Sequence, residues 1–532
     1  MQVTDYSSLL SLEFTPYIPT DGDKEPDDLT PNEADDDPHR LARVNLEQYA
    51  TQNDGRTLRF WRDEWYVWKG NRYIKITERE LKAKVSLSVK AEFDRINIER
   101  QRDYFERKAA GEIDPDTDKG PPVAKKVSNQ IISSVLQATS GMVVVSATTE
   151  PGTWLPDKSR PLAVSMVNGL VNVERVLANR DDYLLGNSPD WFAMASLPYA
   201  FDPDATCPKW LDFLRYNLDG DEQLAAVLQE WAGYLLLPTT DEQKFMILEG
   251  EGSNGKSVFT AAMTAMLGEE NVSSIPLEVF GDRFSRTETL GKLLNAAGDC
   301  AELDKVCEGY IKSFTSGDRM FFDRKGVPGI NCRPTARLMI ACNNRPRFSD
   351  RSQGIWRRML LVPWDRQIPE HKKIKGMSSV EWWNESGELP GIFNWAILGL
   401  DRLRRNRGFT ESKKINDALR DYQEEVNPTR RFISEHFEQD RMCSVKAQAA
   451  YHHYRNWCQA DGYKSMSEKS FGKEIRRAFP LIERKNAGPR TARFYVYKGI
   501  KFSQESICGQ KIKIDDEFYP EDANADSKGD LF

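Results

Sequence analysis

The sequence has no C-x-x-C pair. Its eight cysteines are scattered singly, Cys300 and Cys307 being the nearest two, and none of the five histidines stands at ligand spacing beside them. A zinc site and a disulfide framework are therefore not expected, and the pattern fits a reducing cytoplasm. No apolar run approaches the ~20 residues that a membrane span needs, so no membrane partner is expected. The opening stretch MQVTDYSSLLSLEF lacks the basic region of a secretory signal. There is no internal repeat. Positive charge is also in deficit, with 74 Lys and Arg against 81 Asp and Glu. That total hides an uneven distribution. Residues 1–40 hold 11 acids and 2 bases and residues 511–532 hold 7 and 3, which leaves 63 acids and 69 bases in residues 41–510. A mildly basic body with acidic ends permits nucleic-acid binding without demanding it.

At 532 residues the chain exceeds what one hydrophobic core supports. Residues 1–40, rich in Asp and Pro, read as a disordered acidic tail. An α+β N-terminal domain is expected over 41–220. It begins with a β-meander at 56–76 that turns at Gly70-Asn71, and a long polar helix follows at about 78–110. The loop GEIDPDTDKGPP closes that helix, and another is expected at about 122–138. From 244 to about 365 short apolar strands alternate with helices, the sign of a wound α/β sheet, within a domain expected at 221–440. Residues 385–440 read as helical. The unit at 441–505 has two helices and the strand-rich RFYVYKGIKF, consistent with a winged helix. Residues 506–532 form a second acidic tail.

The sharpest motif is KFMILEGEGSNGKSVFTAAMTAML. Gly250-x4-Gly255-Lys256-Ser257 follows the strand-like FMIL and opens a helix, the context a phosphate-binding loop requires. Glycines let the backbone N–H groups of Gly250, Glu251, Gly252, Ser253, Asn254, Gly255 and the first helical residues, through Val258, curl around phosphate oxygens. Lys256 would reach the β- and γ-phosphates of ATP, and the Ser257 hydroxyl would ligate Mg²⁺. Downstream, KLLNAAGDCAELD ends a strand in Asp299, with Glu302 three residues on. Asp299 is favoured for the metal and Glu302 for polarising water, although the two could exchange or share these roles. ARLMIACNN ends a buried strand in Asn343, where an amide can sense the γ-phosphate; a turn-forming Asn is the plain alternative. GIWRRMLLVPW carries Arg357 and Arg358, either an arginine finger for a neighbouring subunit's ATP or ordinary surface charge.

These pieces run in order over about 110 residues: GEGSNGKS, GKLLNAAGD, IKSFTSGDRMFFDRKG, LMIACNNRPRFSD, GIWRRMLLVPW. The order resembles the helicase domain of the phage, plasmid and poxvirus primase-helicases of superfamily 3, and the likeness extends over about residues 40–500. The resemblance implies an AAA+-like P-loop ATPase core in an α/β fold, with an α+β N-terminal domain and a C-terminal winged-helix-like domain. It also implies a hexameric ring and 3′-to-5′ movement on single-stranded or forked DNA in a host cytoplasm. It assigns Gly255, Lys256 and Ser257 to the phosphate loop, Asp299 to the second motif, Asn343 to the sensor and Arg357 or Arg358 to the finger. GDRMFFDRKG matches the family's DNA-gripping hairpin, which points to Arg324 and Lys325. The second motif departs from the family's adjacent acids by reading Gly-Asp-Cys-Ala-Glu, which leaves Glu302 uncertain.

A primase site would need paired carboxylates on strands to hold two metals. Asp114, Asp116 and Asp118 lie instead in a Pro- and Gly-bounded loop, so helicase function without primase activity is expected. Lys469, Lys473, Arg476 and Arg477 share the helix SEKSFGKEIRRAF. They would contact DNA in a winged helix, the alternative being a solvated face. An origin-assembling initiator and a defence or packaging ATPase are competing readings, and the hairpin favours the helicase. The tail ends Lys528-Gly529-Asp530-Leu531-Phe532. It resembles peptides that dock on bacterial sliding clamps, and more loosely the acidic tails of single-strand-binding proteins; a purely solubilising tail is the alternative.

Overall fold

Why the long polar segment after the meander folds as one helix is visible at its start. In the computed structural model, the Thr77 hydroxyl accepts the Glu80 N–H while the Glu80 carboxylate accepts the Thr77 N–H, a reciprocal cap that begins Glu78–Ala109. The structure describes residues 33–52, 55–155, 162–298, 308–346, 348, 353–489 and 493–503. Both acidic tails, apart from residues 33–40, lie outside them. No described helix is long and apolar enough to cross a membrane.

The chain divides into two compact units, one of residues up to 67 with 75–145, the other of 68–74 with everything from 146 on. In the first, the helix Pro38–Tyr49 is capped by Asp37; the meander's strands are Leu58–Trp61, Glu64–Trp68 and Tyr73–Ile76, with 68–74 counted to the second unit. The helix expected at 122–138 starts later, as Asn129–Met142, because the Ser128 hydroxyl accepts the Ile131 N–H and fixes the first turn there. Leu46, Leu58, Val85, Phe93 and Val135 form this unit's core.

The second unit begins well before the expected domain start at 221. Val164, Met166, Trp210 and Phe213 share one core with Trp231, Leu248 and Phe259, so the segments upstream of 220 fold with the α/β sheet. The helices α1 (Pro208–Asn217) and α2 (Glu222–Leu235) lead into that sheet. Its strands are β1 (Phe245–Glu249), β2 (Val272–Ser273), β3 (Leu294–Ala297), β4 (Arg337–Cys342) and β5 (Met359–Pro363). All are parallel, in the order β2-β3-β4-β1-β5. Such a sheet is covered on both faces, and strand alternation divides it accordingly: Met246 and Leu248 enter one core, Phe245 and Ile247 the other. Helix α3 (Lys256–Leu267) follows β1, and α4 (Leu389–Asn406) packs on α2.

Helix α5 (Lys413–Val426) runs into a C-terminal subdomain of α6 (Pro428–His436), β6 (Phe437–Lys446), α7 (Ala447–Ala460), α8 (Glu468–Ala478), β7 (Glu483–Ala487) and β8 (Phe494–Phe502). The sheet is antiparallel with β8 central. Phe432, Ile433 and Phe437 lie in its core beside Tyr454, Phe471 and Ile500, so this subdomain starts near 427 rather than at 441. The same contacts make 437–440 strand where helix was expected.

Candidate functional site

The loop 250–255 is shaped by close approach. A Cβ on Gly250 would lie 1.9 Å from the Asn254 Nδ2 and 2.4 Å from the Trp364 carbonyl oxygen, so only glycine fits. Asn254 donates from Nδ2 to that same carbonyl at 2.6 Å, which fixes the loop against the chain leaving β5. Gly255 turns into α3 at φ +92°, a left-handed conformation that disfavours any Cβ. No side chain caps α3, so its first N–H groups and the positive end of its dipole face the loop.

Lys256 is buried, and its ammonium donates to the Gly250 carbonyl, to Asn254 Oδ1 at 3.2 Å and to Asn343 Oδ1 at 3.1 Å. Asn343 directly follows β4, the neighbour of β1, so strand order alone brings two residues 87 positions apart into contact. The loop borders a cavity of about 840 Å³, lined by Gly252 through Val258 and by Asn343. Ser257 is exposed there, and Glu251 is exposed on the loop. Gly298, at the end of β3, also lines the cavity. Asp299 and Glu302 lie outside the described residues.

The two arginines before β5 differ. Arg358 is buried, with Nε and Nη2 donating to Ser316 Oγ at 3.1 and 2.6 Å and Nη1 to the Gly354 carbonyl. Burial pulls its pKa down. Arg357 is exposed, and its carbonyl accepts from Lys244 Nζ at 2.6 Å. The hairpin Met320–Phe322 and Ile330–Cys332 divides its bases in the same way. Arg324 is buried and donates from Nε and Nη2 to the Pro328 carbonyl at 2.9 and 2.6 Å, bracing the turn, while Lys325 is exposed at the tip. On α8, Lys473, Arg476 and Arg477 are all exposed; Arg477 pairs with Glu474 at 2.6 Å, and Arg476 Nε donates to the Gly472 carbonyl at 3.1 Å.

Sequence reasoning missed two features. Arg345, two residues after Asn343, donates to Glu249 at the end of β1 at 2.5 Å and to Glu425 of α5 at 3.2 Å. The cavity's far walls come from α1 and from residues 368–378, segments without any motif. A half-buried arginine between carboxylates is invisible without the sheet order, and the wall residues mix apolar positions such as Phe213 and Ile374 with charged ones such as Asp212 and Lys372 in no recognisable pattern.

Residues 248–358 match a family described only as a family of unknown function, and residues 427–504 match the RFX DNA-binding domain. Among curated proteins the chain is similar to several that carry the name "Putative helicase". Three of them come from Acanthamoeba polyphaga mimivirus (21% identical, 48% of this chain, 29% of that protein), Frog virus 3 (isolate Goorha) (22%, 44% and 26%) and Invertebrate iridescent virus 3 (21%, 40% and 26%). The chain thus spans less than a third of each relative's length. Among solved structures, the apo form of the NrS-1 C-terminal region matches with a TM-score of 0.44 and 11% identity, over 87% of this chain and 100% of that one. The chain is thus a distant relative, over part of their length, of viral proteins named as putative helicases, and its C-terminal subdomain matches a DNA-binding family.

Proposed function

We propose that the chain is an ATP-driven DNA helicase of the superfamily 3 kind, acting in replication of a phage, plasmid or virus-like element and lacking a primase site. The observation that carries this reading is the contact between Lys256 and Asn343 at the uncapped start of α3. One cation and one amide converge where a γ-phosphate would sit. The strand order, which sets β4 between the phosphate-loop strand and β3, supports an AAA+-like core. The run helix-strand-helix-helix-strand-strand from 428 to 502 supports a winged helix.

The glycine cradle and the exposed Ser257 hydroxyl fit a nucleotide triphosphate with its Mg²⁺; Ser257, and Asp299 by resemblance, would hold the ion. When bound, the ion neutralises phosphate charge. Lys256 leaves the Gly250 carbonyl and Asn343 to meet the β- and γ-phosphate oxygens, and loop N–H groups take the remainder. Water attacks the γ-phosphorus, ADP leaves, and a carboxylate, Glu302 or Asp299, accepts the water proton. Arg357 is the finger of this reading, reaching a neighbour's ATP in a ring of six. Lys325 at the hairpin tip grips the strand, and Lys473, Arg476 and Arg477 hold duplex or forked DNA. Residues 515–532, outside the described residues, dock a host sliding clamp or another replisome protein; pull-downs that recover the same proteins after deletion of Leu531 and Phe532 refute that part. The test of the whole is strand displacement on forked DNA. Wild-type protein should unwind only with ATP, and no ATP-dependent displacement refutes the helicase.

A further inference from the structure

A phosphate loop accounts for only one end of the cavity. Its other walls come from α1, through Phe213 and Tyr216, and from the strap that follows β5, through Ile368, Ile374 and Met377. Neither wall falls within the 248–358 family match. The strap is bound to both ends of the site. Ile368 N–H donates to the Ser253 carbonyl at 2.8 Å and Lys373 Nζ reaches Ser253 Oγ at 3.4 Å, on the phosphate loop. Arg366 Nη1 donates to the Tyr216 carbonyl at 2.8 Å and to Asp219 at 2.7 Å, on and just after α1. The Arg366 guanidinium and the Lys372 ammonium lie over the Tyr216 ring at 4.0 and 4.7 Å.

Within this polar frame Ile374 is 53% exposed. It lines the same cavity as buried Met377 and as the loop residues Gly252 through Val258. A large aliphatic surface left in water next to an anion site is a cost that an apolar, flat group on the same ligand removes. A nucleoside triphosphate has one such group, one ribose away from its phosphates.

Resting on the nucleotide reading above, we propose that Ile374, Met377 and Tyr216 form the nucleobase wall of this site. The base lies against Ile374, so the strap and α1 select a nucleoside triphosphate over a bare polyphosphate. Tying the strap to Ser253 also makes base and phosphate binding cooperative, because a base that orders the strap orders the loop it is bonded to.

The test is binding of ATP and of inorganic triphosphate, measured in parallel by calorimetry on the full chain, with steady-state ATPase alongside. Ile374 is exposed enough for substitution to spare the fold. Ile374→Ala and Ile374→Ser should weaken ATP about ten-fold, as loss of roughly 50 Å² of apolar contact implies, and leave inorganic triphosphate unchanged. KM should rise with kcat held, and Ile374→Leu should retain wild-type affinity. Unchanged ATP affinity in the Ala and Ser variants, or equal losses for both ligands, overturns the wall while the phosphate site stands. A wild-type protein that binds neither ligand, or a Lys256→Ala variant that binds both as tightly, overturns the nucleotide reading and the wall with it.

Discussion

Arg357→Ala and Arg358→Ala should fail in opposite ways, although the residues are adjacent and chemically identical. Arg358 is buried and its guanidinium makes three hydrogen bonds, two to Ser316 Oγ and one to the Gly354 carbonyl. Truncation removes these hydrogen bonds and leaves a cavity, so a loss of about 2–4 kcal/mol is expected. For a domain of this size that corresponds to a melting shift of roughly 5–10 °C. Arg357 is exposed, and its loss should change stability by no more than about 0.5 kcal/mol. If it acts as the finger, ATP hydrolysis should fall about 10³-fold or more. The assay pairs thermal denaturation with DNA-stimulated ATPase. Mixing Lys256→Ala subunits with Arg357→Ala subunits should restore part of the activity, because each supplies the half that the other lacks. The reasoning is refuted if Arg357→Ala keeps full activity in an assembled protein, or if Arg358→Ala melts with wild type while losing activity.

Lys256→Ala should abolish ATP hydrolysis and cost about 1–3 kcal/mol for the hydrogen bonds it removes, without unfolding the loop that Asn254 holds to Trp364; full ATPase activity in the purified variant counts against the nucleotide site. Lys473→Ala and Arg476→Ala should each weaken DNA binding across sequences and reduce the salt slope by about 1, read by fluorescence anisotropy over a salt series; an unchanged slope removes α8 from the interface. Burial holds the His436 imidazole below its ordinary pKa, against the opposing charges of Glu435 and Asp461. The unfolded chain therefore binds the extra proton, and C-terminal stability present above about pH 6.5 should be lost as pH falls further. His436 also shares a 3.2 Å hydrogen bond with His453, which protonation of both rings would break. Melting of this subdomain that is flat from pH 7.5 to 5.5 contradicts that assignment.

The strand, glycine turn and uncapped helix of 245–267 were legible because they are local, all lying within one short stretch. Asn343 was legible as the end of an apolar strand, but its partner Lys256 follows from sheet order, which no local pattern encodes. The arginine pair marks the limit. Arg357 and Arg358 differ in that Arg358 bonds the Gly354 carbonyl four residues back and Ser316, 42 residues away, a contact no local pattern encodes. Arg324 shows the same limit. A base in a turn reads as a DNA contact, whereas its guanidinium braces the turn and leaves Lys325 at the tip. The misplaced boundary at 220 has a similar origin, since Trp210 and Phe213 are apolar positions on a helix that does not reveal which core it joins. Asp299 and Glu302 remain where sequence alone put them, outside the described residues.

In the function proposed above, the nucleotide site must be joined to the element that touches DNA, and the contacts between those segments converge on α5. Tyr422 of that helix is fully buried, its ring 5.1 Å from Trp356, which precedes Arg357, and 6.3 Å from Phe348 in the segment after the sensor. Arg345 lies over the same ring at 5.3 Å while bonded to Glu249 at the end of the phosphate-loop strand. One helix thus packs against the sensor segment and the arginine segment together. Its last turn adds Glu425 to Arg345, and the next residue but one, Asn427, donates to Glu474 on α8 at 3.2 Å, beside Arg477. The exposed Glu425 pair contributes little by itself. The buried aromatic contacts carry the rigidity, because close-packed rings shift as a body rather than deform. The Tyr422 hydroxyl is buried without a hydrogen-bond partner among the described residues. An orphaned hydroxyl of that kind costs about 1–3 kcal/mol. In the proposed function, a change at Asn343 or Arg357 on ATP binding would be passed through these ring contacts to α5, which leads directly into the C-terminal subdomain.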